Sequence, residues 1–435
     1  MKTIGLLLAL TVCIMTSAPA QTRELSLKQA LELAVQHSYQ LKKAQAERKA
    51  SLAELQSAKA ARLPTLSAEA FAYYNDDIPS FDITLSSDLT ISRDVGSKEN
   101  YQTNLWLSVP LFTGGKITSG IQAANFSLDM HQALEEASLN VVLYQTRVKY
   151  MSLYQADRLL EAAQASMERT KIIMKDMASL FKAGVADSVD LLDADLAYNK
   201  AFLKVEQAVS GCRSAKIELT SLLNLPAGDS LVISDVLPPP VAREFLHPFM
   251  SKPELRAADA SVALSKSQLR QAQSAYFPTI SAYCGYSYGK PNLDLFNKTW
   301  RDYFTVGTNL TWSFNIGRKE AREVQRAKLL YQAAQKECDD VTERLDREAR
   351  LALERLALVR QMYNTARLNK RTSSDNYRLA TKKYRQGVLS SNRLLEIEAE
   401  LSEAEAAEAS VTADYYIAES AYYFSLGSEQ LKEGF

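Results

Sequence analysis

The sequence predicts a mainly helical protein with a four-stranded β contribution, built from two copies of one unit. Three observations predict it. Landmarks recur in the same order: Leu41 to Pro64-Thr65 and Leu255 to Pro278-Thr279 each set Leu and Pro 23 positions apart. Leu107-Ser108-Val109 to Gly115-Lys116 then matches Leu310-Thr311-Trp312 to Gly317-Arg318. Last, Phe181 to Gly184-Val185 with Leu191-Leu192 matches Tyr384 to Gly387-Val388 with Leu394-Leu395, at an offset of 203. The second observation is that neither Gly nor Pro falls between Gly120 and Gly184, or between Gly317 and Gly387. The third is four runs of about ten residues in which apolar side chains alternate.

The chain begins with an export signal over residues 1–20. Lys2 supplies the positive start, Ile4 to Met15 the apolar core, and Ala18-Pro19-Ala20 a small-x-small cleavage site. The apolar run is too short to cross a hydrocarbon layer that needs about 20 residues. Lipidation at Cys13 would need a small residue before it, and Val12 is not one. The first structural repeat is expected over 21–236 (helix, two strands, long helix, helix) and the second over 248–435. Between them lies a linker at 237–247 that opens with Leu237-Pro238-Pro239-Pro240, which cannot be helix interior.

The stretches free of Gly and Pro predict helices of about 60 residues or more. Apolar residues recur in sevens: Leu134, Val141 and Val148, with Ala137, Tyr144 and Met151 three places later. Leu160, Met167, Met174 and Phe181 follow, and Leu345, Ala352, Val359 and Ala366 do the same in the second copy. Sevens predict coiled-coil seams. Gly184 and Gly387 read as left-handed C-caps, with Ser188 and Ser391 capping new helices that run to about Leu225 and Leu426. Each copy should therefore hold an antiparallel helical hairpin with a tight tip.

The four strands are expected over 66–74, 104–111, 280–288 and 305–314. Leu66, Ala68, Ala70, Ala72 and Tyr74 face one side, as do Leu105, Leu107, Val109, then Ile280, Ala282, Cys284, and Val306, Leu310. Ser67, Glu69, Asn104, Asn309 and Thr311 face the other. Runs of about 10 residues are the length of a tilted transmembrane strand. Tyr73, Tyr74, Tyr101, Tyr288, Trp300, Tyr303 and Phe304 near the strand ends read as an interfacial girdle. Residues 75–100 and 289–302 would be external loops. In lipid, four strands leave edges with unsatisfied backbone groups, and the smallest closed barrels use about eight strands. Several copies must then contribute.

Composition excludes other classes. The 51 basic residues balance 51 acidic ones, so nothing attracts nucleic acid. Four cysteines without a CxxC pair and three scattered histidines (His37, His131, His247) give no metal or disulfide framework. The chain lacks GxSxG, GxxxxGK[ST], HExxH and GxGxxG, and no catalytic or cofactor site is expected.

Duplicated helix–strand–strand–long helix–Gly tip–helix units, with Pro64 and Pro278 entering strands and Gly115 and Gly317 leaving them, resemble the TolC-like outer-membrane efflux protein family over essentially the whole mature chain. The resemblance implies a homotrimer with a shared 12-stranded transmembrane β-barrel and a long periplasmic α-helical tunnel. It implies the outer membrane channel of a tripartite efflux or type I secretion system. Such a channel sits in outer membrane lipid and works with a periplasmic adaptor (membrane fusion protein) and an inner-membrane transporter. By position, Gly184, Val185, Gly387 and Val388 would be adaptor-contacting tips, and Asp190, Asp193, Tyr384, Arg393 and Glu396 a periplasmic gate. Arg393 departs from the family, which carries an acid there, and the usual basic partner of the first-hairpin acid would fall at Leu389. Arg393 is therefore expected to pair with Asp190 and hold the resting tunnel shut. The alternative is a periplasmic coiled-coil scaffold or adaptor without channel activity.

Overall fold

A computed structural model describes residues 22–86, 88–226, 230–235, 237–238, 240, 252–293, 296–427 and 429–433. The expected export signal with Cys13 lies outside them, as do Pro239 and 241–247 of the expected linker. In chain order the elements are β1 (Thr22–Leu25), α1 (Leu27–His37), α2 (Tyr39–Ala60), β2 (Thr65–Tyr74), β3 (Ser80–Ser86), β4 (Leu89–Asp94), β5 (Glu99–Phe112), α3 (Lys116–Lys182), α4 (Ser188–Leu222), β6 (Ser230–Ile233), α5 (Pro253–Gln273), β7 (Thr279–Lys290), β8 (Arg301–Thr311), α6 (Lys319–Arg385) and α7 (Ser391–Leu426). Helices α3 and α6 each have 67 residues, and the tips that end them lie at Gly184 and Gly387. The chain forms two compact units. One holds the described residues up to Leu41, those of 139–249 and those from Arg347 onward; the other holds 42–138 and 250–346.

The first unit is helical. Its core brings together Leu27 and Leu31 of α1, Tyr150 and Leu153 of α3, Leu219 of α4, Leu356 and Val359 of α6, and Tyr415 and Tyr422 of α7. β1 and β6 pair in parallel beside it, with Leu25 opposite Ile233. Asp235 fastens this corner. Its Oδ2 accepts from the Leu27 amide at 2.7 Å, an orphan donor at the start of α1, and lies 2.9 Å from the Tyr150 hydroxyl. Burial and that carboxylate push the Tyr150 phenol far above its ordinary pKa.

Along α6, buried or half-buried positions run Ala349, Ala352, Leu356, Val359, Tyr363, Ala366, Lys370, Ser373, Tyr377, Ala380 and Tyr384, alternating steps of three and four. This is the predicted seam. The seam of α3 differs from the expectation. Leu134 and Phe181 are exposed, whereas Thr146, Ser166, Thr170, Ile173 and Met177 are buried. Thr146 and Thr170 can fill a seam because each bonds a carbonyl of its own helix: Thr146 Oγ1 to Val142 O at 2.8 Å, Thr170 Oγ1 to Ser166 O at 3.0 Å.

The second unit is built on an antiparallel sheet in the order β2–β5–β7–β8. Each expected strand is present, with shifted ends: β5 is longer than expected, and β8 stops before Trp312 and Phe314. The segment 75–100, expected as an external loop, contains the β3–β4 hairpin, a two-stranded sheet of its own, with the Asn75 amide to Lys98 O and the Val95 amide to Pro79 O bridging the stretches that lead to it. Helices α2 and α5 are tied to α3 by Arg48–Glu135 at 2.5 Å and Arg256–Glu136 at 2.6 Å. Among the described residues, no helix is long and apolar enough to cross a membrane.

Candidate functional site

The two hairpin tips have the same construction. After α3, the Gly184 amide donates to Phe181 O at 3.0 Å and the Val185 amide to Leu180 O at 3.0 Å. After α6, Gly387 donates to Tyr384 O at 2.9 Å and Val388 to Lys383 O at 3.0 Å. Both are Schellman motifs, which close a helix on a left-handed residue. Gly184 and Gly387 supply it, at φ of 72° and 71°. Such a motif usually packs the residue after the glycine against the helix it ends. Here Val185 and Val388 remain 75% and 73% exposed. The helices that follow are capped one residue earlier than expected. Asp187 caps α4, accepting from the Ser188 amide, and Ser390 caps α7, accepting from the Arg393 amide. Ser391 is thereby released to donate to Asp190 Oδ1 at 2.9 Å, joining the two hairpins.

The expected gate residues flank the two tips in the helical unit: Tyr384 on the last turn of α6, Asp190 and Asp193 on the first turns of α4, Arg393 and Glu396 on the first turns of α7. Tyr384 is half-buried against Ile173, Ala380, Leu394 and Ile397, with its hydroxyl 4.0 Å from Met177 Sδ. Burial raises its pKa, and the Asp176 and Asp190 charges add to that. Arg393 does not reach Asp190 within the chain. Its guanidinium bonds Glu396 at 2.7 Å and lies 3.7 Å from Glu400, on its own helix, where side chains three and seven positions on share a face. Asp193 is half-buried on α4. Among the described residues no group of acids, histidines and cysteines is placed to hold a metal ion.

The sheet unit carries the second candidate surface. Strand register sorts its residues into two faces. Leu66 opposes Leu107, which opposes Cys284, which opposes Val306; Ala68, Leu105, Tyr286 and Phe304 form the next row. On the other face Glu69, Asn104, Ser287 and Tyr303 form one row, and Ser281 with Asn309 and Thr279 with Thr311 two more. The apolar face stands open: Leu66, Phe304, Val306 and Leu310 are each more than 60% exposed.

The expected aromatic girdle divides between the faces. Tyr74, Tyr101, Tyr288 and Phe304 lie on the apolar face, where Trp300 stacks on Tyr101 and Tyr288 with centroids 6.0 and 5.1 Å apart. Tyr73 and Tyr303 fall on the polar face instead, because their partners are Asn100 and Ser287. A second aromatic group, at the other end of the strands, escapes the sequence reading: Tyr276, Phe277, Trp312 and Phe314 are all exposed. Its signal lies in Trp312 and Phe314, which the alternation marks only as strand residues. Within the polar face, Trp106 lies against Gly285 and Tyr283 against Gly307, with a Trp106–Tyr283 edge contact of 5.8 Å. A Cβ on Gly285 would run into the Trp106 ring, so only glycine fits there.

Residues 30–225 and 250–428 match the sequence profile described as outer membrane efflux protein. The solvent efflux pump outer membrane protein SrpC of Pseudomonas putida is 25% identical over 338 residues, 73% of this chain and 68% of its own. Among solved structures, the Campylobacter jejuni CmeC outer membrane channel superposes with a TM-score of 0.78 at 18% identity, over 92% of this chain and 85% of that one. The open state of the Neisseria gonorrhoeae MtrE outer membrane channel gives 0.75 at 19%, over 93% and 89%. The chain belongs to the outer membrane efflux protein family: it is a TolC-like protein of the outer membrane that serves efflux.

Proposed function

We propose that three copies of the chain form one passive conduit through the outer membrane, closed at its periplasmic end until an adaptor and an inner-membrane transporter engage it. One observation carries the reading: a sheet with an exposed apolar face, a polar opposite face, and β2 and β8 as edges that no strand among the described residues pairs. In water the apolar face is a liability, and in lipid the bare edges cost several kcal/mol per backbone group. Both are resolved if sheets from several copies join edge to edge with the apolar face outward. Four strands per copy make twelve in a trimer, and Ser67, Glu69, Asn104, Asn309 and Thr311 would line the bore.

Exposed seams on the helices support assembly as well. Leu351, Leu358 and Leu379 of α6 stand exposed at multiples of seven, on a second seam beside the one buried within the chain. Val189, Leu192, Leu196 and Leu203 of α4 form another exposed stripe. A flanking copy would cover such stripes. The bare valines at the tips suit contact with an adaptor, and Asp190, Asp193, Tyr384, Arg393 and Glu396 would narrow the tunnel behind them. Arg393 then draws on Glu396 within its copy and can meet Asp190 only of a neighbour. The chain does no chemistry in this reading; the pump supplies the energy. A scaffold or adaptor needs no membrane-length sheet with an open apolar face, which disfavours that alternative. Planar-bilayer recording tests the proposal: discrete conductance steps are expected, and an electrically silent protein refutes it.

A further inference from the structure

We propose that Arg169, Glu398 and Glu405 form a latch within each chain, which holds the two helical hairpins together above the tips and must break for the periplasmic end to open. The inference rests on the channel reading above. The packing of the helical unit changes character along its length. The main core extends as far as Leu160 of α3, Ala366 of α6 and Val411 of α7. A small separate cluster, Ile173, Ala380, Leu394 and Ile397, lies near the tips. Between the two, polar side chains gather beside the buried Leu401 and Ala409: Ser166, Arg169 and Thr170 on α3, Lys370 and Ser373 on α6, Glu398, Ser402 and Glu405 on α7.

Arg169 is the hub of this layer. Its Nη1 and Nη2 reach the two Glu405 oxygens at 3.4 and 2.8 Å, its Nε reaches Glu398 Oε1 at 3.2 Å, and its guanidinium sits 5.7 Å from the Tyr377 ring. Ser166 donates to the same Glu398 oxygen at 2.8 Å. One side chain therefore joins α3, α6 and α7. A planar guanidinium can serve two carboxylates and a ring face at once, which an ammonium cannot. Glu398 is almost fully buried, and Arg169 retains 18% of its side-chain exposure.

An apolar layer would hold the helices at least as firmly, so the ions are not needed for stability. What an ionic layer adds is an all-or-none character. Withdrawing Arg169 leaves the almost fully buried Glu398 with the Ser166 hydroxyl but without its guanidinium, so a half-broken layer is costlier than either the closed one or one opened to water. Glu405 also lines a cavity of about 470 Å³ with Arg158, Glu161, Lys370, Glu408 and Thr412, which gives water and ions a route to the latch.

The test compares wild type with Arg169→Met, which keeps the aliphatic stem, and with the milder Glu405→Gln. Hydrogen exchange is followed at 179–190 and 384–393, and conductance in planar bilayers. Both variants should speed tip exchange, Arg169→Met by about tenfold or more, with β7 unchanged, and should raise the open fraction. If tip exchange and open fraction equal wild type in both variants, there is no latch. If exchange accelerates equally in β7, the cluster is a plain stabiliser and the proposal also fails. If no protein conducts but the tips of the variants still exchange faster, the latch stands and the channel reading falls.

Discussion

Val306 offers the sharpest test of what surrounds the sheet. It is 71% exposed in the single chain, on the apolar face at the middle of β8. From Arg301 to Thr311 the strand rises about 33 Å, or about 25 Å in height at a tilt of about 40°, so in the proposed barrel Val306 would sit near the midplane of the lipid-facing band. In lipid, Val306→Arg should cost about 2–4 kcal/mol per copy. Were the face bathed in water, an exposed valine could become arginine within about 0.5 kcal/mol. Thr305→Arg, one residue away on the polar face, is the control and should cost less than about 1 kcal/mol. Urea unfolding of the protein reconstituted in liposomes measures both. Equal, small costs at the two positions would refute a lipid-facing sheet.

Other consequences are as direct. Gly387→Ala meets no atom within 4 Å, so its penalty is the left-handed backbone alone; about 1 kcal/mol is expected, with Gly387→Asn recovering part of it, read as local exchange at the tip. Gly211 lies inside α4 with equal room around it, and Gly211→Ala should instead stabilise by about 0.5–1 kcal/mol in denaturant unfolding. Gly285→Ala must displace Trp106 and should destabilise the sheet by about 1–3 kcal/mol, relieved when Trp106 is also changed to Leu. Burial and then the Asp157 carboxylate 2.6 Å away push the Cys212 thiol from 9.0 up to about 11. Its protonated form is favoured in the folded chain, so that contribution is whole below the unfolded pKa and fades as pH climbs from 9.0 to about 11. Alkylation of Cys212 should therefore be negligible at about pH 8, and faster there in Asp157→Asn.

Much of the fold is legible from local rules. Absent Gly and Pro mark α3 and α6, period two marks β2, β5, β7 and β8, and φ-positive glycines mark the tips. The seam of α3 is less legible, because Thr146 and Thr170 satisfy their hydroxyls on their own helix and so act as apolar residues that no hydropathy pattern counts. The β1–β6 pair is invisible for another reason: its four-residue strands lie about 200 positions apart and carry no alternation of their own. At the tips, cap identity turns on one residue, since Asp187 and Ser390 take the role that Ser188 and Ser391 suggest. Arg393 lies beside the other expected gate residues, but a partner three residues along its own helix outcompetes a distant one. The Arg169 cluster is unreadable because it draws on α3 and α7 at positions more than 200 residues apart.

Native mass spectrometry of the detergent-extracted protein tests the central claim most directly. The account predicts a species of three mature chains that holds together only while surfactant covers the sheet. A monomer that stays dispersed in plain buffer would contradict it.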